Sequence, residues 1–229
     1  MNDPIVDITT KISINTQFIV GIASIYGLTL QLPEKDLILK DILILETIVQ
    51  IIEFCWYYFI IQKLPQKEMA KSRYYDWIIT TPIMLITIFS YLLYEEQLEK
   101  KPDEPPIRLL YIMRKYKKPI TQILLSNFGM LLVGYLYEIG QISNDIAFIS
   151  GFIFLINIFN IIYIKAGSKS KNGKKMFFII FFLWSVYGIA FILPTGIKNS
   201  IFNITDLFSK NFFQVYITIL SHNKKNMTK

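Results

Sequence analysis

The chain has 229 residues, 53% of them hydrophobic, with a formal net charge of +7. A mean hydropathy of +0.41 is too high for an ordinary water-soluble domain. The 24 basic residues lie in short blocks between apolar runs, a pattern of membrane loops rather than of a nucleic-acid surface, and the single cysteine, Cys55, excludes an internal disulfide.

The N-terminal Met1-Asn-Asp-Pro lacks a basic region and a small-residue cleavage site, so the first apolar run is expected to stay as an uncleaved anchor. Seven runs of roughly 20 residues follow one another, the length that a ~30 Å hydrocarbon core demands. They fall at about 8–30, 37–61, 75–94, 120–137, 145–164, 176–193 and 201–220. Their length and the absence of strict alternation favour helices over a barrel. The expected fold is an all-α membrane protein, a seven-transmembrane-helix bundle made by a single domain over residues 1–229. Lys35, Lys40, the basic residues of 100–118 and of 165–175, Lys224, Lys225 and Lys229 would lie on one side. Lys11, Lys63, Lys67, Lys71, Arg73 and Lys198 would lie on the other. The richer side faces the cytoplasm, which puts the N-terminus outside and the C-terminus inside.

In the first span Ser13, Gln17 and Ser24 recur at helical spacing; in the second, Glu46, Gln50 and Glu53 are four and three apart and share a face. Such a seam either lines a hydrated cation path or holds neighbouring helices together by hydrogen bonds. The third span places Arg73, Asp76, Thr80, Met84 and Thr87 on one face, with Pro82 tolerated inside a membrane helix. The loop 95–118 is the longest, and its segment 107–116 mixes apolar and basic residues, as a solvated linker or an interfacial helix would. Residues 165–175 read as a flexible basic hairpin. The sixth span carries Trp184, Tyr187 and Phe191 on one face, either core packing or the wall of a flat conjugated ligand. In the seventh, Asn203, Asp206 and Lys210 fall on one face. An ionised lysine near a bilayer centre costs ~2.5–3.5 kcal/mol on insertion scales, so Lys210 is either paired, with Asp206 or Asp76, or chemically converted. His222, the one histidine, stands in the polar tail and is given no role.

Three of these motifs together, Arg73-Tyr-Tyr-Asp-Trp-x-x-Thr-Thr-Pro, Trp184-x-x-Tyr187 and Asp206-x-x-x-Lys210, resemble the signature of the microbial rhodopsins, and the resemblance spans all seven runs. It implies a photoreceptor rather than an enzyme, with all-trans-retinal on Lys210 as a protonated Schiff base. By the same resemblance Asp76 and Asp206 are the counterions, Asp76 is the primary proton acceptor, and Arg73 balances charge on the outer side. Trp77, Thr80, Thr81, Met84, Trp184, Tyr187 and Phe191 would surround the chromophore. In the fourth span Asn127, Met130 and Gly134 match positions near its ring, with Asn127 where the family often has an aspartate. Two acids near the nitrogen would hold its proton in place against desolvation.

One departure concerns pumping. Thr87 stands eleven residues after Asp76, where outward proton pumps carry a carboxylate, and 194–200 contains no acid to release a proton. Glutamates along the second helix resemble those of algal channelrhodopsins, and the combination with Gly188 and Asn203-x-x-Asp206 is similar to the virus-encoded rhodopsins of algal giant viruses. That resemblance implies a light-gated cation channel passing monovalent cations past Ser13, Gln17, Glu46, Gln50, Glu53 and Asn203. It also implies a lipid bilayer as surroundings, the host cell membrane if the chain is viral, with room for a homo-oligomer and no role for nucleic acid. Thr81, where algal channels often have a gating cysteine, leaves the kinetics untransferable. The alternatives are a light-driven outward proton pump, a sensory rhodopsin, and a seven-helix carrier or receptor without retinal.

Overall fold

The computed structural model describes residues 3–226, and among these every regular element is helical. Helix α1 (Pro4–Thr29) starts where Asp3 caps it, its side chain accepting the Ile5 amide at 2.8 Å, with Pro4 in the first turn. Its far end is closed by Lys40, whose ammonium reaches the carbonyls of Leu28 and Leu30. Helix α2 (Leu37–Phe59) follows a 3-10 turn, Glu34–Asp36. Helix α3 (Gln66–Lys100) is 35 residues long with Pro82 inside it. A short α4 (Leu109–Lys115) leads into α5 (Lys117–Glu138). Helix α6 (Asn144–Ile162) starts at a Ser143 cap and ends in a π-turn, Tyr163–Gly167. Helix α7 (Lys171–Phe191) starts at a Ser170 cap. The last span is composite: α8 (Thr195–Asp206), a π-turn (Leu207–Asn211) and α9 (Phe212–Asn226).

All seven expected spans are present, and their ends differ from the expected ones most at α3. Helix α3 begins nine residues earlier and ends six later than expected, because Gln66 to Tyr74 and Glu95 to Lys100 are good helix formers whose charges hide the helix from a hydropathy reading. The loop 95–118 is correspondingly shorter. Segment 107–116 is a tethered helix rather than a plain linker: Arg108 makes a two-pronged contact with Asp41 on α2 at 2.9 and 2.8 Å, and Ile112 is fully buried. The basic hairpin at 165–175 shrinks to Ser168–Ser170, since π-turn and α7 take the rest; Lys171 N–H donates to Glu99 at 2.7 Å. His222 lies inside α9 and its Nδ1 is 2.6 Å from the Tyr26 hydroxyl, so the polar tail is helical and docked. Met1 and Lys229 lie outside the described residues.

Five helices, Pro4–Thr29, Gln66–Lys100, Lys117–Glu138, Asn144–Gly167 and Lys171–Phe191, are long and apolar enough to cross a membrane. The packing is turned inside out relative to a soluble bundle. On α1 the inward face is Thr9, Thr10, Ser13, Gln17 and Ser24, while Ile5, Ile8, Phe18, Ile19 and Ile22 point out. On α6 the outward positions are Ile146, Ile149, Ile153 and Ile156, the third of them 61% exposed. Leaving one such side chain in water forfeits ~1.5–3 kcal/mol, so the belt requires lipid around it.

One line of packing runs α1 against α2, α2 against α3, α8 against α1, and α9 against α1 and α2. Another joins α5 to α6 closely, with α7 closing the ring between α6, α3 and α8. Chain direction gives the bundle an N-terminal face, where α1 starts and α3 starts, and a C-terminal face, where α3 and α9 end.

Candidate functional site

The site is centred on Lys210, which is almost completely buried and sits within the π-turn Leu207–Asn211. Such π-turns recur at functional positions. Lys210 Nζ lies 3.0 Å from Asp76 Oδ2, 3.4 Å from Glu53 Oε1 and 3.7 Å from Asp206 Oδ1. All three acids are buried. Both sequence-derived partners are present, and Glu53, assigned from sequence to an ion path, is a third.

On the N-terminal side Arg73 anchors the cluster. Its Nη1 donates to Asp206 at 2.9 Å and to the Tyr57 hydroxyl at 2.6 Å; its Nη2 donates to the Asn203 side chain. Tyr57 in turn donates to Asp206 at 2.5 Å, and its ring lies under the guanidinium, 5.0 Å from centroid to Cζ. Tyr187 donates to the other Asp206 oxygen at 2.5 Å and stands 2.6 Å from Ser209. Asp206 is therefore held by four groups from α2, α3, α7 and its own helix. Two buried cations face three buried carboxylates here, which such charges tolerate only with this density of hydrogen bonds. Tyr57 escapes a reading of the sequence because a tyrosine in an aromatic span carries no mark of its partners.

Beside the lysine opens a mainly apolar cavity. Trp77, Thr81 and Met84 come from α3, Met130, Leu131 and Gly134 from α5, and Trp184, Tyr187, Gly188 and Phe191 from α7. Helix α6 adds Ala147, Phe148, Gly151, Phe152 and Leu155, and Phe202 and Ser209 complete the lysine end. Trp77 meets Tyr187 and Phe202 edge-on, with centroids 5.5 and 5.4 Å apart. A Cβ on Gly188 would stand 2.7 Å from the Phe152 ring, so the glycine is what lets α6 press its aromatic against α7. Of the residues expected to surround a chromophore, Trp77, Thr81, Met84, Met130, Gly134, Trp184, Tyr187 and Phe191 line this cavity. Thr80 bonds back to the Asp76 carbonyl at 3.0 Å, and Asn127 donates to Thr81 at 2.9 Å, one layer behind. The α6 wall is invisible in the sequence, because its phenylalanines and isoleucines read alike whether they face lipid or cavity.

The polar seam runs away from the lysine along α1 and α2. Glu46 accepts from the Thr87 hydroxyl, and Gln50 donates to the Gln17 carbonyl at 3.2 Å. Ser13 donates to the Asn203 backbone at 3.0 Å, and Asn203 donates to Thr9 and Thr10 at 2.9 and 3.0 Å. Ser24 instead bonds within its own helix, to Val20. The seam has a further wall: Asn211 at the end of the π-turn and Gln214, Thr218 and Ser221 on α9 are buried at spacings of three, four and three. Both amide atoms of Gln17, of Asn211 and of Gln214 find no protein partner. Among the described residues no cluster of His, Cys, Asp and Glu is arranged to hold a metal ion.

Several solved structures share this fold. The viral rhodopsin OLPVRII superposes with a TM-score of 0.80 at 24% identity, covering 95% of this chain and 98% of that one. The blue light-absorbing proteorhodopsin from Med12 gives 0.73 at 18% identity, covering 96% and 98%. Halorhodopsin, a light-driven chloride pump, gives 0.70 at 11% identity, covering 98% of both chains. No curated protein matches the sequence. Residues 8–223 match the family described as bacteriorhodopsin-like protein. With a seven-helix bundle, a lipid-facing belt and a buried lysine at the end of an aromatic cavity, the chain belongs to the bacteriorhodopsin-like family of integral, multi-pass membrane proteins.

Proposed function

We propose that this chain is a light-gated cation channel that holds all-trans-retinal covalently on Lys210. The residues fit the group. A long conjugated aldehyde needs an amine at one end and flat apolar walls along its length. Lys210 Nζ provides the first; Trp77, Trp184, Tyr187 and Phe191 provide the second. The indole N–H of Trp184, a residue of the cavity wall, is buried without a protein partner, as is one oxygen of Asp76 beside the lysine. When bound, the retinal supplies absorption of visible light and a change of shape.

The chain's own groups do the rest. Asp76, the nearest acid, holds a proton at the Lys210 nitrogen and is placed to accept it. Asp206, fixed by Arg73, Tyr57 and Tyr187, stays as a stationary negative charge. Glu53 pairs with Lys210 at 3.4 Å and lies on the same buried face of α2 as Gln50 and Glu46, and this is the observation that carries the reading: a change in the lysine's contacts changes a side chain on the proposed ion path directly. Unpartnered amides on Gln17, Asn211 and Gln214 are sites for water, so a hydrated route between α1, α2, α3 and α9 costs little further desolvation. Monovalent cations pass Glu46 and Glu53, whose carboxylates admit cations and refuse anions. The basic loops of the C-terminal face put that face in the cytoplasm and the N-terminus outside. The whole of 1–229 acts as one domain in the host cell membrane, if virus-encoded, with a homo-oligomer compatible with its apolar exterior.

Voltage-clamped photocurrent with cation substitution tests the reading. A passive current that reverses near the equilibrium potential of the permeant cation, and that Glu53→Gln diminishes, is expected. A second reading, an outward proton pump, draws support from one contact. Glu46 reaches Thr87, the position where outward pumps carry their carboxylate, and could return the proton from a neighbouring helix. It predicts current at zero voltage that ignores the cation gradient.

A further inference from the structure

The polar seam does not end at Glu46. Further toward the C-terminal face, α3, α9 and the turn before α2 assemble five side chains that the proposed mechanism does not use. Tyr91 donates to Glu95 at 2.8 Å, and its oxygen is 2.6 Å from the Tyr216 hydroxyl. One turn on, Tyr94 donates to Asp36, at the foot of α2. Asp36 is fully buried and its second carboxylate oxygen has no partner; Glu95 is nearly buried. The Tyr91 ring stands edge-on to Tyr216, 5.6 Å away at 89°, and lies 6.5 Å from Tyr94.

Two acids so deprived of water are expensive unless hydrogen-bonded or hydrated. Tyrosine hydroxyls meet that need while the cluster is shut; water or a cation would meet it when open. The contact that shuts it joins the two helices that grip the lysine. Tyr216 lies six residues beyond Lys210, on α9, and Tyr91 and Glu95 continue the helix of Asp76. An O–H···O contact fails within about an ångström of separation, so a small shift of α9 against α3 suffices to part it.

We propose that Glu95 and Asp36, closed over by Tyr91, Tyr94 and Tyr216, form a second cation-selective constriction at the far end of the seam from Arg73, opened when Tyr216 parts from Tyr91. This rests on the channel reading above. Rings of acidic side chains are a standard means of admitting cations and refusing anions.

The test uses the full chain loaded with retinal, in a Cys55→Ser background. Ser90→Cys puts a thiol just inside the cluster, at a fully buried position whose hydroxyl has no partner. A charged, membrane-impermeant methanethiosulfonate reagent is applied from the Glu95 side. Labelling is expected to be slow in the dark and about tenfold faster in light. Tyr216→Phe should raise the dark rate by about tenfold, the worth of one lost hydrogen bond. Tyr91→Phe cuts the same contact from the other helix and serves if Tyr216→Phe fails to keep its visible absorption band. Equal rates in light and dark, or dark rates unmoved by both phenylalanines, overturn the gate. Glu95→Gln keeps the acceptor and removes the charge, so the dark rate should hold while the reversal potential under a salt gradient moves away from that of the cation; an unmoved potential overturns the filter. The photocurrent of the Cys55→Ser chain is read separately. No passive current, with labelling still controlled by light, refutes the channel and its cation filter and leaves a light-operated access gate. A normal cation current with labelling indifferent to Tyr216 refutes the gate alone.

Discussion

The two halves of the bundle obey opposite rules. Helices α5, α6 and α7 meet through aromatic and aliphatic side chains: Phe159 meets Phe177 and Trp184 edge-on and Phe181 at a tilt, and Gly188 admits Phe152. Helices α1, α2, α3 and α9 meet through Gln17, Glu46, Gln50, Glu53, Thr87 and Gln214. The cavity lies mostly against the first half and the ion pairs against the second, with Lys210 on the boundary. The apolar half supplies shape and the polar half supplies charge, and Lys210 belongs to both.

The largest way to break this division is to remove the boundary residue. Lys210→Ala should yield a chain that stays colourless when given all-trans-retinal, read by visible absorption. Next comes the anchor of the polar half. Arg73→Met leaves Asp206 buried without its cation, and breaking such a pair costs ~3–5 kcal/mol; thermal melting of the pigment should show it, while the same substitution at an exposed arginine should not. Asp76→Asn removes the nearest charge to the nitrogen and should move the absorption band to longer wavelength; an unmoved band would remove Asp76 from the counterion role. In the apolar half, Gly188→Ala forces the Phe152 ring aside and should cost ~1–3 kcal/mol of stability while altering the band less than Asp76→Asn does. The smallest effect belongs to Arg108→Ala, whose partner Asp41 is held at the surface, with ~0.2–1 kcal/mol expected.

The same division explains what a reader of the sequence can see. A charge inside an apolar run is conspicuous, so Arg73, Asp76, Glu46, Glu53, Asp206 and Lys210 all stand out from the order of residues alone. Their pairing does not: nothing in a spacing of 157 residues says that Glu53 reaches Lys210, and helical periodicity places Glu53 in the path alone. Neutral members of the polar half, Tyr57, Asn211 and Gln214, are too common in membrane helices to stand out singly. In the apolar half, part of the cavity is legible through Trp184, Tyr187 and Phe191, and the α6 wall is not. Helix ends fail for a third reason. Hydropathy reports where lipid stops, and α3 continues past that point in water, held there by ordinary helix propensity.

The π-turn under Lys210 has a mechanical meaning. An α-helix advances ~100° per residue, so a segment that spends one residue too many can return it, and everything downstream then swings by that angle. Helix α9 is downstream. The span that bears the lysine thus comes with a built-in half-step of winding, and its C-terminal end can be re-aimed without unravelling a turn.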